Sequence, residues 1–180
     1  MTPLSTLPWI RYCKASLLFV AAFFYFLVVF NNIFDYGSNL LYIENVLGMT
    51  ETFSDSLHWR RLEHPFFHWV FYVTIILWEL LSMVLCAWAG WKLLSAARMD
   101  AVAFQKAKRL GAVAYTVSLL QWYFAFITVG GEYFLMWQSE NWNGQDAAFR
   151  MFGILGISLL FHCQRNDYLD TPPPATSTTA

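Results

Sequence analysis

The chain has 180 residues, 58% of them hydrophobic and 13% charged, with a net charge of −1. Soluble domains carry about 25% charged residues, so a water-soluble fold of this size cannot hide so much apolar surface. A charge near zero provides no basic field for nucleic acid, and the length suffices for four membrane spans and short connections without a separate soluble domain.

The first expected span covers residues 12–30, an apolar block (SLLFVAAFFYFLVVF) preceded by Arg11 and Lys14. Its apolar run is too long for a signal peptide, and no small-x-small cleavage site follows, so it reads as a retained helix. Residues 31–64 follow. A connection of that length is expected to hold local structure, and the string SNLLYIENVLGM suits a short amphipathic helix lying at the membrane surface.

The second span, 66–91, is the most apolar stretch. Pro65 stands at its first turn and Lys92 ends it. At 1.5 Å per residue it reaches roughly 40 Å, enough to cross a bilayer with tilt. Glu79 lies near its middle. An ionised acid at that depth costs at least ~2.5 kcal/mol, so Glu79 is expected to be protonated, paired or turned to a protected interior. The third span, 110–129, contains Gln121 at similar depth. The fourth, 147–163, is barely long enough, and Gly153, Gly156 and Ser158 permit close packing on a neighbour. Residues 1–170 then form one transmembrane domain, and Thr171–Ala180 (TPPPATSTTA) reads as a disordered tail.

Lys and Arg set the expected orientation. Arg11, Lys14, Lys92, Arg98, Lys106, Lys108, Arg109 and Arg165 flank one side, and the other side carries Arg60, Arg61, Arg150 and most of the acids. The positive-inside rule puts both termini and the 92–109 connection in the cytoplasm. The outer surface is then expected to pair Arg60, Arg61 and Arg150 with acids among Asp35, Glu132 and Asp146.

Several residue groups carry candidate chemistry. Glu79 and Gln121 form an intramembrane polar pair, with a neutral Glu79 bonded reciprocally to the amide; it serves as a structural lock or as a proton or ligand site. The loop GGEYFLMWQSENWNGQ, from Gly130 to Gln145, reads as an aromatic belt with a turn or as a partner or ligand surface. His64 and His68 are one turn apart, the spacing of a metal or haem ligand pair, but no acid or cysteine completes a motif. Cys13, Cys86 and Cys163 have no Cys-x-x-Cys arrangement and read as packed thiols. No cofactor is expected.

The residues resemble a family of bacterial predicted small integral membrane proteins, the domain of unknown function numbered 2165. The resemblance runs from about Arg11 to Asp167. It rests on Asn31-Asn32 with Asp35 and Asn39, on Trp59-Arg60-Arg61, on Glu79, and on Gly130-Gly131-Glu132 through Met136-Trp137-Gln138-Ser139 to Trp142-Asn143-Gly144. It implies four spans in a bacterial inner membrane and supplies no activity, substrate or cofactor.

The expected architecture is an all-α membrane protein, an antiparallel four-helix bundle with a short interfacial helix in its first outer segment. The expected role is a non-enzymatic accessory or subunit protein that contacts lipid and a membrane or periplasmic partner, or a second copy of itself. Its outer face is built from Asn31, Asn32, Asp35, Asn39, Trp59, Arg60, Arg61, Glu132, Trp137, Gln138, Trp142, Asn143 and Arg150. The rival readings are a small carrier or proton-linked component using Glu79 and Gln121, and an anchor subunit of a haem or quinone oxidoreductase.

Overall fold

In lipid, no water satisfies an exposed backbone amide, so an apolar chain must bond its amides within each segment, and helices result. The structure, a computed structural model, describes residues 9–165, and among them every regular element is helical. They are α1 (Trp9–Phe34), α2 (Tyr36–Leu47), α3 (Pro65–Ala96), α4 (Ala101–Leu120) and α5 (Gln145–Cys163). α4 runs on without a break into a π-helical stretch, Gln121–Tyr133, and short 3₁₀ segments occupy Asp55–Arg60 and Met136–Gln138. Four helices are long and apolar enough to cross a membrane: Trp9–Phe34, Pro65–Ala96, Ala101–Tyr133 and Gln145–Cys163. The Thr171–Ala180 segment lies outside the described residues.

Three of these helices outrun their apolar blocks. The 92–109 connection, expected as a loop, is almost entirely helix: α3 continues to Ala96 and α4 begins at Ala101. Lys and Arg are good helix formers whose aliphatic stems lie along apolar surface, so charge alone does not end a helix. The break is fixed by Asp100, whose Oδ1 accepts the Ala103 amide at 2.9 Å and caps α4. α3 starts the same way, with Pro65 in its first turn and His64 Nδ1 accepting from the Phe66 amide.

Two cores hold the helices. The larger joins α1, α3, α4 and α5 through small residues, among them Ala15, Ala22, Ala89, Ala96, Ala114 and Ala148. Small side chains let helix backbones approach where hydrophobic collapse gives no drive between them. The second core gathers Ile43, Val46 and Leu47 from α2 with Tyr72, Phe134 and Met136.

The start of α1 meets the end of α3: an Arg11 guanidinium nitrogen donates to the carbonyls of Ala97 (3.2 Å) and Met99 (2.7 Å). The other end of α1 meets the start of α3, where the Tyr72 hydroxyl donates to Asn32 O at 2.7 Å. Near the Arg11 end, the ammonium groups of Lys14 and Lys108 both donate to Gln164 O, at 2.7 and 2.8 Å. All three cations are buried, and they serve backbone carbonyls at or just beyond the C-terminal ends of α3 and α5, where helix carbonyls lack partners and carry partial negative charge.

Candidate functional site

The polar groups of the interior and of the Tyr133 end form two assemblies. The first is intramembrane. Glu79 on α3 is only 2% exposed and Gln121, where the π stretch begins, is fully buried. The Gln121 side-chain NH2 donates to Glu79 Oε1 at 3.2 Å, and Asn32 Nδ2 of α1 donates to Oε2 at 2.6 Å. One carboxyl group therefore ties three helices together. The reciprocal bond expected from the Gln121 carbonyl is not made; among the described residues its Oε1 is buried without a partner, as are Ser82 Oγ and the Tyr115 hydroxyl. Beside this cluster the Tyr25 hydroxyl donates to Ser118 O at 3.2 Å and accepts from Trp122 Nε1 at 2.9 Å.

Asn32 was expected on the outer surface and is instead the closest donor to Glu79. The signal was in the spacing. Leu18, Tyr25 and Asn32 stand seven residues apart, two helical turns, so Asn32 continues the buried stripe of α1 rather than starting the loop.

The second assembly joins the two segments that connect the helices at the Tyr133 end. Its centre is Glu51, which the sequence reading did not single out. Its Oε2 accepts the Ser139 hydroxyl at 2.6 Å and the Asn141 backbone amide at 3.1 Å, and its Oε1 accepts Asn141 Nδ2 at 2.7 Å. These bonds favour the carboxylate and hold Glu51 below the usual carboxyl range although it is half-exposed, the Ser139 bond contributing most. Ser139 Oγ also accepts the Trp142 amide at 2.7 Å, and the Phe53 amide donates to Gln138 Oε1 at 2.8 Å. Asn143 Oδ1 accepts the Gln145 amide at 3.0 Å, starting α5. The Tyr42 hydroxyl donates to Met136 Sδ at 2.8 Å, and burial pushes this phenol up to about 12.

Two close approaches explain the glycines. A Cβ on Gly131 would fall on the Gln145 amide, and one on Gly144 would fall on the Tyr42 hydroxyl. Met49 and Leu135, one in each connecting segment, hold the left-handed backbone at φ 52° and 55°. That conformation costs a non-glycine residue roughly 1–2 kcal/mol, so the packing around them holds it in place.

What these bonds leave outside is aromatic. Phe53 is 76% exposed and meets Trp137 edge-on at 5.7 Å, with Trp59 exposed nearby in sequence. The Arg60 guanidinium lies 5.2 Å from both the Trp59 and the Tyr133 ring and donates to Tyr133 O at 3.4 Å.

The expected pairing of Arg60, Arg61 and Arg150 with Asp35, Glu132 and Asp146 is not made. Arg60 prefers aromatic faces, Arg61 pairs with Glu63 at 3.2 Å, and Arg150 is exposed with no ion pair among the described residues. A guanidinium between two rings already has its partner, and Glu63 reaches Arg61 without crossing between segments. Asn31, Asp35 and Asn39 form a local set at the α1–α2 junction, where Asn39 Nδ2 donates to Asp35 O at 2.9 Å. Glu132 is exposed.

His64 and His68 do not converge: His64 caps α3, and an imidazole nitrogen of His68 lies 2.6 Å from Leu62 O. Among the described residues no three His, Cys, Asp or Glu side chains gather as a metal site. Cys86 is packed as expected, whereas Cys13 and Cys163 are exposed.

The chain belongs to the family of predicted small integral membrane proteins designated domain of unknown function 2165, whose model matches residues 10–165. Among curated proteins and among solved structures, none matches it.

Proposed function

We propose that this integral membrane protein is a non-enzymatic accessory or subunit of a bacterial inner-membrane assembly, and that it presents the Glu51-centred face to a partner. In this reading the four spanning helices run antiparallel with both termini cytoplasmic, and α2 lies at the outer interface. The placement of Arg and Lys supports the orientation.

The observation that carries the reading is the Glu51 clamp. Three hydrogen bonds to one carboxylate fix the segment after α2 against the segment before α5, and the fixed surface exposes Phe53 and Trp137 side by side. Rigid aromatic groups on a preorganised surface lose little entropy on binding, which is the property of an interface anchor. Glu79 takes the other role. Both of its oxygens accept from amide donors on neighbouring helices, so it locks three helices rather than standing open to a ligand.

A photo-crosslinking amino acid placed at Phe53, Trp59 or Trp137 in cells tests the reading. Discrete adducts at these positions, absent from the lipid-facing control Val20, are the expected result. Adducts no stronger than those from Val20 would contradict it. Reporter fusions after Lys106 and Arg165 are expected to report cytoplasm, and one after Glu140 periplasm; a periplasmic signal at Lys106 would overturn the orientation.

A further inference from the structure

The opposite end of the molecule carries a charged surface that the outer-face reading does not use. Between the first turns of α4 and the end of α5 lies an open cleft of about 630 Å³, whose lining includes Lys106, Lys108, Arg109 and Arg165. On the other flank of α4 a second open cleft, about 860 Å³, is lined by Trp88, Trp91, Lys92, Lys106 and Arg109 with others. Lys106 and Arg109 stand between the two clefts and line both. Among the described residues neither lining contains an acid.

Lys108 is turned inward to Gln164 O. The exposed Lys106, Arg109 and Arg165 make no ion pair among the described residues. Asp100, the one acid between Glu79 and Glu132, is engaged in capping α4. Lys106 and Arg109 are three residues apart on one helix, so like charges repel there until an anion sits between them. The walls change character along the helix. Beyond the cations come Leu110 and Val113, and across from them the exposed rings of Trp88 and Trp91. A polar group bound at the cations would therefore have an apolar surface directly beneath it, with indole rings at the level where headgroups meet acyl chains.

We propose that Lys106 and Arg109, flanked by Lys92 and Arg165, bind the phosphate headgroup of an anionic phospholipid whose chains lie along Leu110, Val113 and Trp88. The charge selects an anion, and the apolar wall selects the lipid over a soluble phosphate. This site is independent of the partner face on the opposite surface.

The test is native mass spectrometry of the full chain titrated with phosphatidylglycerol or with phosphatidylcholine of the same acyl chains. The expected result is a preference of about tenfold for phosphatidylglycerol. K106Q/R109Q should lose most of that preference, K106R/R109K should keep it, and R60Q/R61Q at the other end should leave it unchanged. Circular dichroism establishes that each variant is folded; where K106Q/R109Q fails to fold, R165Q with K92Q replaces it and should lower the preference. Equal retention of the two lipids, a preference that survives neutralisation, or an equal loss in R60Q/R61Q would overturn the proposal. So would displacement by millimolar inorganic phosphate as readily as by added phosphatidylglycerol, since that would make the ligand a soluble anion.

Discussion

Two carboxyl groups, Glu79 and Glu51, each accept hydrogen bonds on both oxygens from residues distant in sequence, and the difference between them separates stability from surface. Glu79 is 2% exposed and bonds two amide side chains, on α1 and on the π stretch that continues α4. Glu51 is half-exposed at the surface and bonds a hydroxyl, a side-chain amide and a backbone amide, all within one loop. Around Glu79 a lost bond leaves a donor that water does not reach. Around Glu51 water replaces the bond at once. Similar local chemistry therefore holds the fold in one place and shapes a face in the other.

The largest expected effect comes from Glu79→Leu. It leaves the Asn32 and Gln121 donors without acceptors, at a cost of about 2–4 kcal/mol, read as loss of the folded population in detergent on thermal or denaturant titration. Glu79→Gln keeps an acceptor and should cost about 1 kcal/mol or less. Equal damage from both substitutions would mean that the charge, and not the hydrogen bonds, holds the helices.

Gly111→Ala comes next. Its Cβ would fall on the buried His162 ring, whose nitrogen lies 2.9 Å from Lys108 O. Displacing that ring should cost about 1–3 kcal/mol in the same assay. A neutral outcome would show that α4 and α5 move apart freely.

Glu51→Ala should leave global stability nearly unchanged but raise hydrogen exchange and protease cleavage across residues 130–145. The pH dependence has a definite sign. The folded Glu51 carboxyl titrates below its unfolded value of about 4.3, so its contribution is complete above that value and is lost as pH falls through the folded pKa. Protection in residues 130–145, taken relative to the intrinsic exchange rate at each pH, should thus be flat from pH 7 down to the ordinary carboxyl range and fall only below it. A fall already at pH 6 would assign the clamp to another group.

The four helices long and apolar enough to cross a membrane were legible because their apolar blocks exceed what a soluble core contains, and the family resemblance agrees with the match over residues 10–165. Helix ends were less legible. Lys92 looked like a stop, yet α3 runs on to Ala96 and the next helix is started by the Asp100 cap, since a cap is decided by one side-chain bond and not by the end of hydropathy. The Glu79–Gln121 contact followed from equal depth in successive spans, while Asn32 needed the seven-residue spacing from Tyr25. Glu51 carried no local signal. Its partners lie about 90 residues away, and a polar residue in a polar loop looks the same whether it is bonded or solvated.

The most direct test combines the two carboxyl groups in one readout, the adduct formed by a photo-crosslinker at Trp137. With Glu79 as the proposed lock and Glu51 shaping the proposed partner face, the Trp137 adduct is expected to survive Glu79→Gln and to be lost on Glu51→Ala, with expression of both variants unchanged. An adduct that disappears with Glu79→Gln and persists with Glu51→Ala would contradict it and move the function to the intramembrane site.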